Sequence, residues 1–180
     1  MCLVLGNIKE DALLSKFSLE SSEIFFQYLE AEIPEDLIRF DAAILGINRE
    51  HMLNCWLKDG CICVVVREKV HNGESRSKIR GYGSFKDIGT TWLLGSVVCD
   101  SMDEIGQPLL AELLKLASSR QPGKPVFAFT RIPHDSKFST MYENFGLKRK
   151  SEFPIYLTKG FVRPHVNYQL AVMAPALVPW

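Results

Sequence analysis

Between Thr91 and Ile132 the chain spells a strand, a helix and a second strand with short joins, and this block restricts the fold more than any other stretch. Its first strand, Thr91 to Cys99, has a WLLGSVV centre that suits burial on both faces. A helix follows directly, because Ile105, Leu109, Leu110, Leu113, Leu114 and Ala117 fall at helical spacing. Pro108 sits in the first turn, where a missing N–H leaves no bond unmade. Pro122-Gly123 ends the helix, and Pro125 to Ile132 is the second strand. Such a connection is right-handed and sets its two strands parallel, so a mixed α/β sheet is expected.

The flanking segments complete that sheet. Residues 1–38 are read as a helical lead-in, with a short helix over Ala12 to Phe17 and another over Ser21 to Glu32, where Ile24, Phe25, Tyr28 and Leu29 repeat at helical spacing. Beyond Pro34 a helix runs from Glu35 to Ile47 and ends near Gly46, and Asn48 caps a further one through Leu57. Asp59-Gly60 turns the chain into CICVVVRE, and IRGYGSF follows the polar HNGESRS as its antiparallel partner. After the strand–helix–strand block come a helix over Asp135 to Asn144, closed by Gly146 as a left-handed cap, and strands over Lys150 to Thr158 and Asn167 to Ala174. About six strands result, with an apolar tail at 175–180. All 180 residues form a single domain, within the roughly 100 to 200 that one core serves.

Charge narrows the function. Lys plus Arg and Asp plus Glu both number 21, so no field draws in a polyanion or an anionic membrane, and no nucleic-acid or membrane partner is expected. The basic stretches Arg76 to Arg80 and Lys148 to Lys150 read as solvated charges at strand ends. Five cysteines, scattered through apolar runs without paired spacing, read as reduced thiols holding no metal. The opening MCLVLG is too short for a signal peptide, and no segment approaches the roughly 20 apolar residues of a membrane helix. A cytoplasmic protein is expected, with the nucleus equally compatible.

Three segments carry a family resemblance: FDAAILGINR (Phe40 to Arg49), IRGYGSF (Ile79 to Phe85) and MYENFGL (Met141 to Leu147). Together they resemble the GNAT N-acetyltransferases, in the divergent branch of YitH-type C-terminal domains, over residues 40–174. The resemblance implies a GNAT-like mixed sheet with a splayed parallel pair, and acetyl-CoA as the cosubstrate for direct transfer to an amine of unknown identity. In the bacterial proteins of that branch such a domain often follows a regular GNAT domain.

By resemblance the cofactor's pantetheine arm lies along Gly95 to Asp100, with a main-chain N–H of Val97 or Val98 on the thioester oxygen and Cys99 beside it. The pyrophosphate loop falls on Ser101 to Gly106. Gly106 alone keeps the family pattern; Ser101 replaces a basic or amide residue and Glu104 a glycine, so the contact reduces to Ser101 and the backbone near Ile105 and Gly106. Asp103 and Glu104 suit a helix start and also bring two carboxylates to a phosphate site. Tyr142 matches the tyrosine that protonates the departing thiolate, and Asp135 stands where many members have a cofactor-contacting asparagine. Asp100 and His134, at strand ends, are candidates for the general base.

Asp41 and Arg49 either line the acceptor site or fix a helix pair on the sheet. Arg49 opens a helix, an unfavourable place for a cation, so it requires a specific partner. The degenerate loop leaves a second reading open, a GNAT-like module without catalysis that associates with proteins or binds a ligand. The tail from Val172 to Trp180 either covers its own sheet or packs on a neighbour, as a homodimer would use it.

Overall fold

A computed structural model of the chain describes residues 2–9, 23–69, 77–130 and 142–152. Seven strands form one sheet: β1 (Cys2–Gly6), β2 (Ile24–Leu29), β3 (Ile62–Lys69), β4 (Ser77–Asp87), β5 (Trp92–Cys99), β6 (Val126–Thr130) and β7 (Lys148–Glu152). Their order across the sheet is β2-β3-β4-β5-β6-β1-β7, and every neighbouring pair is antiparallel except β5 and β6. Among the described residues the longer helices are α1 (Glu35–Leu45), α2 (Glu50–Lys58) and α3 (Gln107–Arg120).

Strand alternation divides the core in two. Val64, Val66, Phe85, Leu94, Val97 and Cys99 face α3 and pack with Leu109, Leu110, Leu113 and Leu114. Cys63, Val65, Tyr82 and Val98 face the other way and pack with Leu37, Ile44, Leu45, Leu53 and Leu57 of α1 and α2. The Gly-Tyr-Gly run of β4 is a packing device: a Cβ on Gly83 would lie 2.5 Å from Leu113, and one on Gly81 would meet Cys99 and Ile105. Only glycine lets α3 and the turn before it lie this close to the sheet.

Several expectations hold. α1 ends on Gly46 with φ 72°. The expected cap is shifted by one residue: Arg49 is the N-cap of α2, and Asn48 before it accepts a hydrogen bond from the Glu50 N–H at 2.8 Å. Gly146 takes φ 88° after a helical stretch described from Tyr142 to Asn144. The expected helix over Ala12 to Phe17 and the strand over Asn167 to Ala174 lie outside the described residues.

The expected helix over Ser21 to Glu32 is corrected. Its apolar centre is β2, paired with β3 from Ile24↔Glu68 to Leu29↔Cys63. Ile, Phe and Tyr suit a pleated surface, and a neighbouring strand in register outweighs a weak helical periodicity. The helical lead-in is corrected with it, since residues 2–6 are also a strand, seated between β6 and β7.

The parallel pair parts early. Trp92↔Val126, Leu93↔Phe127 and Leu94↔Ala128 are paired, and the ladder stops there although both strands continue. A bulge marks the place. Phe85 pairs with Leu94 and Gly83 with Val97, so Gly95 and Ser96 together oppose Ser84. The extra residue turns β5 away from β6 and leaves a gap at their C-terminal ends.

Candidate active site

The gap is lined first by backbone. The Asp100 N–H donates to Arg80 O on β4 at 2.9 Å. By the two-residue period of a strand, Val98 also turns its N–H toward β4, and Val97 and Cys99 turn theirs toward β6. Beyond Leu94 that side has no ladder to β6. Val97 is therefore the better placed of the two residues expected to offer an N–H to a thioester oxygen. The side chains of Val97, Val98 and Cys99 are fully buried, and burial pushes the Cys99 thiol up to about 12, so it is not a thiolate nucleophile.

A single π turn, Met102–Gly106, follows β5 and leads into α3, so the long helix begins at Gln107 and not at Glu104. Three of its amides are bonded within the turn. Glu104 N–H donates to Ser101 Oγ at 3.3 Å, and the N–H groups of Ile105 and Gly106 both donate to Ser101 O at 3.0 Å. Ser101, Ile105 and Gly106, the residues expected to receive a pyrophosphate, thus satisfy one another. Gly106 is buried, and a Cβ there would run into the sulfur of Met102.

Arg80 organises the charges at this rim. Its Nε donates to Asp100 Oδ2 at 2.5 Å, its Nη2 to Glu104 Oε2 at 2.9 Å and its Nη1 to Glu68 Oε2 at 3.2 Å. The guanidinium side chain is only 13% exposed, so the reading of Arg80 as a solvated strand-end charge is corrected. It draws three carboxylates together and ties the turn to the sheet. The clue in the sequence was position: Glu68 is next to last in β3 and Asp100 directly follows β5, the two strands on either side of β4.

Asp100, a candidate base, gives one oxygen to Arg80, and its Oδ1 is buried with no partner among the described residues. Tyr142 is 1% exposed and shares the α3-side core with Leu94, Val97 and Cys99. His134 and Asp135 lie outside the described residues. Ser96, which sequence reasoning passed over, sits in the bulge fully buried, and its hydroxyl has no hydrogen-bond partner among the described residues. An orphaned hydroxyl where two strands part is a signal only the structure gives.

On the opposite face Asp41 and Arg49 find each other. The pair is bidentate and buried, and Tyr82 joins it by hydrogen bonds to both. The Tyr82 hydroxyl is held well above its ordinary range by burial. These residues clamp α1, α2 and β4 together; they are the partner set that Arg49 required.

An acyl-CoA laid across this end of the sheet would need an open strand edge for its pantetheine arm and free donors for its diphosphate. The β5 edge beyond Leu94 fits the first. The 101–106 turn fits the second poorly, because the amides of Glu104, Ile105 and Gly106 are bonded within it and it carries Asp103 and Glu104. Among the described residues no cluster of His, Cys, Asp and Glu could hold a metal, and no helix is long and apolar enough to cross a membrane.

Two solved structures share the fold. A candidate acetyltransferase from Pyrococcus horikoshii superposes with a TM-score of 0.56 at 11% identity, over 98% of this chain and 51% of its own. A tandem GNAT protein from the clavulanic acid biosynthesis pathway, solved without AcCoA, gives 0.54 at 12% identity, over 82% of this chain and 50% of its own. The chain thus spans about half the length of each. No curated protein matches it. The family model of the acetyltransferase (GNAT) domain matches residues 37–169, well over half of the chain, and the chain belongs to that GNAT family.

Proposed function

We propose that the chain is an acyltransferase that passes an acetyl group from a thioester, acetyl-CoA being the family's usual donor, directly to an amine. The observation that carries this reading is the early end of the β5–β6 ladder at Leu94, which leaves Val97 without pairing to β6 among the described residues. The donor supplies an acyl carbon whose C–S bond breaks as the C–N bond to the amine forms. Val97 offers its N–H to the carbonyl oxygen, where negative charge develops. Tyr142 gives a proton to the departing sulfur, and Asp100 Oδ1 orients the amine and takes the proton that it loses.

A second reading is a GNAT-fold module that binds a ligand or a protein without catalysis. The bonded amides of Glu104, Ile105 and Gly106 favour it. Incubating the protein with isotopically labelled acetyl-CoA and a panel of primary amines, and following acetylated product by mass spectrometry, separates the two. Label on an amine above the uncatalysed background supports transfer; none across the panel supports the module. The YitH-type assignment and a homodimer built through the tail at 172–180 are part of this proposal. That tail lies outside the described residues, and sedimentation of the full chain tests the dimer.

A further inference from the structure

A phosphate site at the start of a helix works because unpaired N–H groups and a partial positive charge face the anion, and because glycine lets the backbone approach it. The turn after β5 weakens each of these. Ser101 takes up three amides, those of Glu104 and Ile105 and Gly106, through its hydroxyl and carbonyl. The space that Gly106 would open is filled by Met102. The cation at this rim, Arg80, bonds Asp100, Glu104 and Glu68, so the four side chains together carry a formal charge of about −2. Asp103 is exposed beside them and adds a further carboxylate. A diphosphate brought here would meet bonded amides and a surplus of negative charge.

We infer that the 101–106 turn and its Arg80–Glu104 pair exclude a diphosphate, so that the gap between β5 and β6 takes a pantetheine-type thioester by its arm alone. The inference rests on the acyl-transfer reading only for the identity of that arm. Glu104 is then a specificity-determining residue. Its carboxylate keeps one edge of the Arg80 guanidinium from any phosphate oxygen and repels the phosphate itself.

Calorimetric titrations of the intact chain with CoA, with pantetheine and with inorganic pyrophosphate test this. The two thiols should bind within about threefold of each other, and pyrophosphate should not bind. In Glu104→Gln, which removes the charge, CoA should tighten by about fivefold or more while pantetheine stays the same. CoA binding at least about tenfold tighter than pantetheine in the parent, or pyrophosphate binding that competes with CoA, overturns the inference. A CoA-to-pantetheine ratio unmoved by Glu104→Gln overturns the part given to the Arg80–Glu104 pair. If neither thiol binds, the thioester reading falls, and the pyrophosphate titration still decides the exclusion.

Discussion

Arg49 and Asp41, eight residues apart in the chain, meet through two parallel hydrogen bonds, Nε to Oδ2 at 2.9 Å and Nη2 to Oδ1 at 2.5 Å, with both side chains withdrawn from water. Removing one partner strands the other charge in the core. Arg49→Met should therefore lower stability by about 3–5 kcal/mol in urea titrations. Adding Asp41→Leu to it should restore at least about half of the loss, because the stranded carboxylate goes too. A single variant within about 1 kcal/mol of the parent would show that the clamp is dispensable.

Close packing of α3 on β4 gives the second prediction. With Leu113 only 2.5 Å from where a methyl group on Gly83 would sit, Gly83→Ala should cost about 1–3 kcal/mol as helix and sheet are forced apart. A thermal melt unchanged from the parent would mean that α3 shifts freely.

Ser96 should behave in the opposite way. Its buried hydroxyl has no partner to lose, so Ser96→Ala should leave stability unchanged within about 0.5 kcal/mol or raise it. A fall of more than about 1 kcal/mol would show that the hydroxyl is bonded in the folded protein. Weaker thioester binding in the same stable variant would place it on the ligand.

Tyr142→Phe keeps the buried ring and removes the proton. If Tyr142 protonates the leaving sulfur, kcat should fall at least about tenfold while KM changes by less than about twofold. Unchanged turnover would remove it from the chemistry.

Burial raises the thiols of Cys63 and Cys99 to about 12, against an ordinary 9.0. Below the ordinary value both folded and unfolded chains keep these protons and the stabilisation is complete; between about 9 and 12 the unfolded chain ionises first and stability falls. Urea midpoints should thus drop as the pH rises from about 9 toward about 12, and less steeply in a Cys99→Ala variant. In native protein these two thiols should resist alkylation while half-buried Cys55 reacts. Equal alkylation rates would contradict this.

The strand–helix–strand block was legible because apolar residues repeat along it without a break, and both partners of the parallel pair lie inside it. β2 was not. Ile24, Phe25, Tyr28 and Leu29 satisfy a helical spacing, and what decides against a helix is β3, more than thirty residues downstream. Arg80 was hidden for a similar reason, since its three carboxylates come from three separate elements. The unusual composition of the 101–106 turn could be read directly, but the loss of its free amides is a matter of hydrogen bonding that residue types do not reveal. The partner demanded by Arg49 was predictable as a need, and Asp41 lay in the same segment.

The seat of β1 bears on the order in which the molecule can be made. Leu5 pairs with Phe127 on one side and with Lys148 on the other, so β1 waits for partners that follow far later in the chain. β2 to β5 and the first two helices can assemble from neighbours in the chain, whereas this corner closes only across long loops, and such closure is slow. A nascent chain halted before Val126 would hold β1 with neither of its partners and β5 with one edge unmet. The stretch over which this protein is most exposed to mispairing is therefore the interval between finishing α3 and finishing β7.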